Sequence, residues 1–142
     1  MTYALYTGKS TKWLKNGNIY KVISTIHNSG NNKSIGDELI LDSIPHPQSK
    51  KYFQLFEGYV AFSYVLPKVG ERLYLSRVVK DNYRELVLER VLTTEVSAIA
   101  QQGNKYMVIT CNGTVYELTV IGWKIAVSNN FETAILHLFT LF

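Results

Sequence analysis

Residues 105–121, KYMVITCNGTVYELTVI, alternate between apolar and polar side chains in two runs that flank Asn112-Gly113. Side chains along a strand point alternately to its two faces, and Asn-Gly accepts the positive φ angles of a tight turn. The pattern therefore predicts a hairpin with a two-residue type I′ turn. Counting outward from that turn pairs Cys111 with Thr114, Ile109 with Tyr116 and Met107 with Leu118. One face then carries Met107, Ile109, Cys111, Tyr116, Leu118 and Val120, apolar enough for a core wall, with Cys111 a small buried thiol. The other carries Tyr106, Val108, Thr110, Val115, Glu117 and Thr119, a mixed face left half in water. On this assignment a carboxylate is excluded at Ile109 and tolerated at Thr110.

The same period marks the rest of the chain. Residues 2–6 alternate as a short strand that Thr7-Gly8-Lys9-Ser10 ends, and Asn16-Gly17, between Trp13-Leu14 and residues 19–26, predicts a second hairpin with a long second arm. Residues 28–36 are a loop by their Asn, Gly and Ser content, and residues 38–41 return to a strand. Pro45 and Pro47 exclude a ladder from residues 42–51, because proline has no amide donor. Val60, Phe62, Tyr64 and Leu66 alternate as a strand, whereas residues 53–57 fit a helical turn or an irregular edge equally well. Residues 67–70 are the candidate boundary between two halves. Beyond them, residues 72–79 and 86–93 echo each other, and a third run at 94–100 leads into the last hairpin, giving a meander of five strands.

At the C-terminus the period changes. Asn129 is placed to cap a helix with Glu132 three residues on, and Phe131, Ile135, Leu138, Phe139 and Phe142 recur at helical spacing. Such an apolar stripe belongs either in a core or against a second copy of the chain, so a homo-oligomer interface is expected there. Composition points the same way: charged residues are 18% of 142, against about 25% in typical soluble domains, so some apolar surface needs a partner. The single cysteine excludes internal disulfides and suits a reducing cytoplasm. No apolar run is long enough to span a membrane, and the N-terminus lacks the pattern of a signal peptide.

The segment Tyr6-Thr7-Gly8-Lys9-Ser10, followed by Leu14, Gly17, Tyr20 and Val22, resembles the opening of small SH3-like barrel proteins common in phages and mobile elements. There, a strand ending in a Gly/Ser turn precedes an arm of the form L-x-x-G-x-x-Y-x-V. Residues 91–94, 106–110 and 116–118 are similar to strand endings in other short phage-type proteins. The resemblance implies an SH3-like antiparallel barrel or curled sheet over residues 1–66, followed by the β-meander over 67–123 and the amphipathic helix over 124–142. It also implies a factor that acts on host machinery, as an inhibitor of a host or defence protein or as a sponge for signalling nucleotides. It transfers no binding residues.

Candidate chemistry is sparse. Gly8-Lys9-Ser10 resembles the end of a phosphate loop, but Tyr3 stands where that motif needs its first glycine, so it reads as a polar turn. His27, His46 and His137 show no metal spacing, and no acid/base pair or cofactor loop stands out, so no enzyme, metal or cofactor is expected. The arginines form the one constellation: Arg72, Arg77, Arg84 and Arg90 all lie in one predicted hairpin. A guanidinium fork suits phosphate and stacks on aromatic rings. Arg77, Arg84 and Arg90 with Tyr74 and Tyr83 are thus the candidate site for an anionic nucleotide or single-stranded nucleic acid, in keeping with a net charge of +4. A turn centred on Asp81-Asn82 would put Arg77 opposite Leu86 and Arg72 opposite Val91. The competing assignment is a solvated face on which Arg72 meets Glu71 or Glu89, and Arg84 meets Glu85. The function expected is that of a non-catalytic binding protein, whose partner is either a host protein or an anionic nucleotide.

Overall fold

The computed structural model describes residues 1–28, 36–82 and 85–121. The expected C-terminal helix, with Phe131, Ile135, Leu138, Phe139 and Phe142, lies outside those residues, as do Tyr83 and Arg84. Among the described residues the strands are β1 (Thr2–Tyr6), β2 (Ile19–Ile26), β3 (Glu38–Leu41), β4 (Gln48–Ser49), β5 (Phe53–Ser63), β6 (Arg72–Asn82), β7 (Glu85–Gln102), β8 (Lys105–Thr110) and β9 (Val115–Val120). One turn of 3₁₀ helix, Lys50–Tyr52, leads into β5. The protein is mainly β, as the alternation predicts.

The strands form one sheet in the order β4-β3-β2-β1-β5-β6-β7-β8-β9, and a further pairing of β5 with β9 closes its second part into a five-stranded barrel. That pairing is parallel, from Gly58 opposite Val115 to Ser63 opposite Val120. It has to be, because each strand of a meander reverses direction and the first and fifth run the same way. The resemblance implies a barrel over residues 1–66, before the meander. Here the meander is itself the barrel, with the C-terminal part of β5 as its first strand, and residues 67–70 belong to the connection between two paired strands.

Two long strands serve two partners each. Residues 53–57, ambiguous by period, are regular strand paired with β1 from Tyr6 opposite Phe53 to Thr2 opposite Glu57. The two runs expected at 86–93 and 94–100 are one strand of 18 residues that pairs first with β6 and then with β8. It shifts register on either side of Glu95, and bulges of this kind bend a strand around the corner of a barrel. Thr93 repairs the ladder there: its buried hydroxyl accepts the Leu73 N–H at 3.0 Å.

The β8–β9 hairpin forms, with its register moved by one. Gly113 N–H donates to the Thr110 carbonyl at 2.9 Å and Thr110 N–H to Thr114 at 3.0 Å, and Gly113 is the turn residue with positive φ, at 82°. This is a three-residue turn ending on a left-handed glycine, not the two-residue type I′ turn. Val108 therefore pairs with Tyr116 and Ile109 with Val115. Since the side-chain period is two, the slip exchanges the faces of the second strand. Val108, Tyr116 and Leu118 line the barrel interior with Leu73, Leu75 and Val96. Met107, Ile109 and Val115 pack instead on Tyr3 and Ile19 of the N-terminal sheet. Both faces are covered, so neither is half wet, and Thr110 is only 2% exposed. Cys111, expected inside, is an exposed turn residue.

Asn16-Gly17 likewise makes a turn, but not a hairpin with Trp13-Leu14 as its first arm. It closes the connection 7–18 between β1 and β2: Asn18 N–H donates to Lys15 at 3.0 Å, and Gly17, with φ of 85°, donates to Tyr6 at 2.9 Å. Leu14 is buried with Ala4, Tyr6, Leu39 and Leu41, which is why the connection is anchored although it is not a strand.

Gly58 sits where β5 passes from β1 to the barrel. A Cβ there would lie 2.5 Å from the Tyr3 ring and 2.6 Å from the Val115 carbonyl. Gly58→Ala should destabilise the fold by about 1–3 kcal/mol, as overpacking does, read as a lowered urea midpoint. Aspartate at Ile109 should cost several kcal/mol, because that side chain is buried in an apolar cluster. Aspartate at Thr110 should also destabilise, because the buried Thr110 hydroxyl donates to Asn112 Oδ1 and an acceptor-only carboxylate would face that oxygen. Cys111→Ser, at an exposed position, should leave the melting temperature nearly unchanged.

Candidate functional site

Register decides what the arginines do. β6 and β7 pair Arg77 with Glu89, Ser76 with Arg90, Tyr74 with Leu92 and Arg72 with Glu95, so the partners of Arg77 and Arg72 lie three and four residues beyond those expected. Neighbouring pairs point to opposite faces, so Arg77 and Arg90 stand on opposite sides of the ribbon. Arg77 is turned toward the barrel side. Its Nη2 donates to Glu89 Oε1 at 3.1 Å, and its guanidinium lies 4.3 Å from the centre of the Tyr59 ring, which in turn stacks on Tyr116 at 6.1 Å. Its Nε is buried without a hydrogen-bond partner. Burial pushes the Tyr116 hydroxyl above its ordinary pKa, against the pull of Arg77. Arg72 meets Glu95 at 3.7 Å on the surface.

On the other face of the ribbon Val78 is covered by Phe62 and Ile121, but large side chains farther along are exposed. Tyr74 is 59% exposed and Leu92, directly opposite, 55%. Arg90 is the diagonal neighbour of Tyr74, and Leu88 follows on the same face of β7. Tyr64, Val65 and Leu66 extend the apolar surface from the adjoining connection, which Ser63 holds by donating from Oγ to the Val65 carbonyl at 2.8 Å. Of the residues singled out from the sequence, the structure brings Tyr74 and Arg90 together and separates Arg77 from both. Leu88 and Leu92 were seen only as steps of an echoing pattern, since their face depends on the register.

A second polar cluster joins the two parts of the molecule. Between β1, β2 and the end of the β8–β9 hairpin lies a half-open cavity of about 160 Å³, lined among others by Tyr3, Lys21, Asp42, Gln102, Lys105 and Glu117. Tyr3 donates its hydroxyl to Glu117 Oε2 at 2.9 Å, and Lys105 Nζ donates to Glu117 Oε1 at 2.8 Å. Gln102 acts as a one-residue strand: its Nε2 donates to the Ile19 carbonyl at 2.9 Å, and its Oε1 accepts the Ile19 N–H at 2.7 Å. The Tyr3–Glu117 bond spans 114 residues and leaves no trace in the sequence. Lys105 and Glu117 share a face only once the hairpin has its three-residue turn.

The titration of this cluster runs away from neutrality. Burial raises the Tyr3 hydroxyl far above its ordinary value, and the Glu117 carboxylate adds to the shift. For Glu117, burial alone would raise the pKa, but the hydrogen bond and charge of Lys105, with the Tyr3 hydroxyl, outweigh it and hold the group below the usual carboxylate range. A proton shuttle works best with a pKa near the working pH. This pair is instead locked, one proton on and one off, and serves as a clamp between sheet and barrel.

Elsewhere, His27 lies 3.2 Å from Asp37, both at the surface, and His46 is exposed in the proline loop. Among the described residues no group of three His, Cys, Asp or Glu could hold a metal ion, and no helix is long and apolar enough to cross a membrane. Gly8-Lys9-Ser10 lies in the β1–β2 connection. Compared with protein-family models, curated proteins and solved structures, the chain shows no match. What fold and surfaces define is a small closed β-barrel with a sheet extension.

The clamp predicts the pH profile of stability. Glu117, with its folded pKa lowered, contributes stability above its unfolded pKa near ~4.3 that is lost as pH falls through the folded value. Tyr3, with its folded pKa raised, contributes stability below ~10 that is lost as pH rises beyond it. Glu117→Gln should lower stability at pH 7 by about 1–3 kcal/mol and flatten the acid limb of a melting-temperature profile. Tyr3→Phe should flatten the alkaline limb. Parallel profiles for parent and variants would contradict the assignment.

Proposed function

We propose that this protein is a non-catalytic binding protein that engages another protein through the outer face of the β6–β7 ribbon. The observation that carries this reading is the grouping of Tyr74, Arg90, Leu88 and Leu92 on one exposed strand face, continued by Tyr64 to Leu66. Tyrosine and arginine are the residue types that dominate contact energy at protein interfaces, and large apolar side chains displayed together mark interaction surfaces. The partner is expected to offer an apolar patch with a carboxylate rim that meets Arg90. A closed five-stranded barrel is in keeping with an SH3-like fold, although it is built from residues 58–120 and not from the 1–66 stretch that carries the resemblance. With the phage-type pattern of Leu14, Gly17, Tyr20 and Val22, it favours a host or defence protein as the target of an inhibitor. Binding of a nucleotide by the ribbon arginines has less support, because Arg77 is held by Glu89 and Tyr59 away from Arg90.

The test is a tagged pull-down from bacterial lysate with the parent chain and with Tyr74→Ala and Leu92→Glu. A partner retained by the parent should be lost from both variants, by about 30-fold or more in affinity for each anchor position, while their melting temperatures stay within a degree or two of the parent. Capture of the same proteins by parent and variants alike would reject this face as the interface.

A further inference from the structure

At the far end of the N-terminal sheet, three segments meet around one small core. Leu14 from the β1–β2 connection is buried there with Leu39 and Leu41, and Ile44 and Phe53 pack against the cluster. Backbone bonds tie the segments together: Thr7 N–H and Thr7 Oγ1 both donate to the Tyr52 carbonyl, at 2.8 and 2.9 Å. The connection 7–18 is thus seated beside the turn Lys50–Tyr52.

On the β1–β2 connection and the stretch around the 3₁₀ turn the charge is of one sign: residues 7–18 and 43–56 hold Lys9, Lys12, Lys15, Lys50 and Lys51 and no Asp or Glu. Carboxylates border them on β3 and its flanks, at Asp37, Glu38 and Asp42, with Lys50 N–H donating to the Asp37 carbonyl at 2.9 Å. All five are exposed, and none forms an ion pair among the described residues. Two aromatic rings stand among them in water: Trp13 at 47% exposure and Tyr52 at 46%. Lys12 Nζ lies 5.0 Å from the centre of the Trp13 ring and Lys51 Nζ 4.9 Å from that of Tyr52. Trp13 is held out by the structure: Thr11 Oγ1 accepts the N–H of Trp13 at 3.3 Å and of Leu14 at 3.1 Å, while Leu14 takes the buried place beside it.

We infer that this lysine and aromatic surface binds single-stranded nucleic acid, with phosphates on the lysines and bases stacked on Trp13 and Tyr52. Cations gathered on two short connections and left unpaired repel one another, and a polyanion relieves that repulsion while releasing its own counterions. Flat rings with a fixed orientation and a neighbouring cation suit unpaired bases, which present a π-face to stack. A duplex hides those faces. An anionic lipid surface would satisfy the charge but calls for a broad apolar face to insert, and this patch offers only the two rings. The surface is separate from the outer face of the β6–β7 ribbon, so it makes the protein a two-sided binder.

The experiment is fluorescence anisotropy with a labelled 12-mer oligothymidylate, the matching duplex, and vesicles containing phosphatidylserine. The single strand should bind best, and its affinity should fall about 20- to 130-fold between 50 and 200 mM salt, for three to five phosphates at ~0.7 each. Trp13→Ala should weaken binding about 5- to 150-fold, the range for loss of one stacked base, and Trp13→Phe should restore most of it. The double variant Lys12→Glu with Lys51→Glu should weaken binding at least tenfold and reduce the salt dependence, and Leu92→Glu on the ribbon should have no effect. All these side chains are exposed, so melting temperatures should match the parent. Absence of salt-dependent binding to the oligomer overturns the inference. So does a loss caused equally by Leu92→Glu, or Trp13-dependent binding to vesicles without binding to the single strand.

Discussion

The parallel pairing of β5 with β9 is the constraint on which the other features depend. It joins residues 58–63 to residues 115–120, the first and last strands of the meander. Closing so long a loop is entropically costly, and the return is a barrel with neither terminal strand left as an open edge. Because only the second part of β5 enters the barrel, its first part is left to pair with β1 and to carry the N-terminal sheet. Gly58 marks the passage, where the Tyr3 ring and the Val115 carbonyl approach too closely for any side chain.

That geometry puts the β8–β9 hairpin between two apolar layers. Its odd and even positions both become core, one set inside the barrel and the other against Tyr3 and Ile19. Glu117 falls on the second set and would be an uncompensated buried charge if nothing met it. Lys105 and Tyr3 meet it from two directions, and Gln102 closes the neighbouring backbone of Ile19. A buried pair of this kind adds little net stability over an apolar contact, but removing one partner is costly. Its effect is to specify how the sheet sits on the barrel.

The two surfaces proposed for binding have opposite characters and arise from different ends of the same sheet. On the ribbon, alternation leaves Tyr74, Leu88, Arg90 and Leu92 on the side away from the barrel interior. At the N-terminal end, the tight connections gather lysines and two rings around a core too small to cover them. The titratable cluster that is strongly perturbed, Tyr3 with Glu117, lies between them as a clamp.

Most strands could be read from the sequence, because a period of two and the turn residues are local signals. β1, β2 and β3 fall where alternation places them, and Asn112-Gly113 does mark a turn. The single-residue difference between a two- and a three-residue turn is settled by which face finds a partner, and this hairpin finds one on both. For that reason Val108 and Thr110 could not be known as buried, nor Cys111 as exposed. The arginines show the same limit: their number and nearness are plain in the chain, but a ladder displaced by three residues sets Arg77 against Glu89 and sends Arg90 to the other side. Closure, the Tyr3–Glu117 contact and the hydrogen bonds of Thr7 to the Tyr52 carbonyl join residues far apart in the chain. Only the tertiary structure decides these, because the free energy of such contacts depends on what the remaining strands have already brought together.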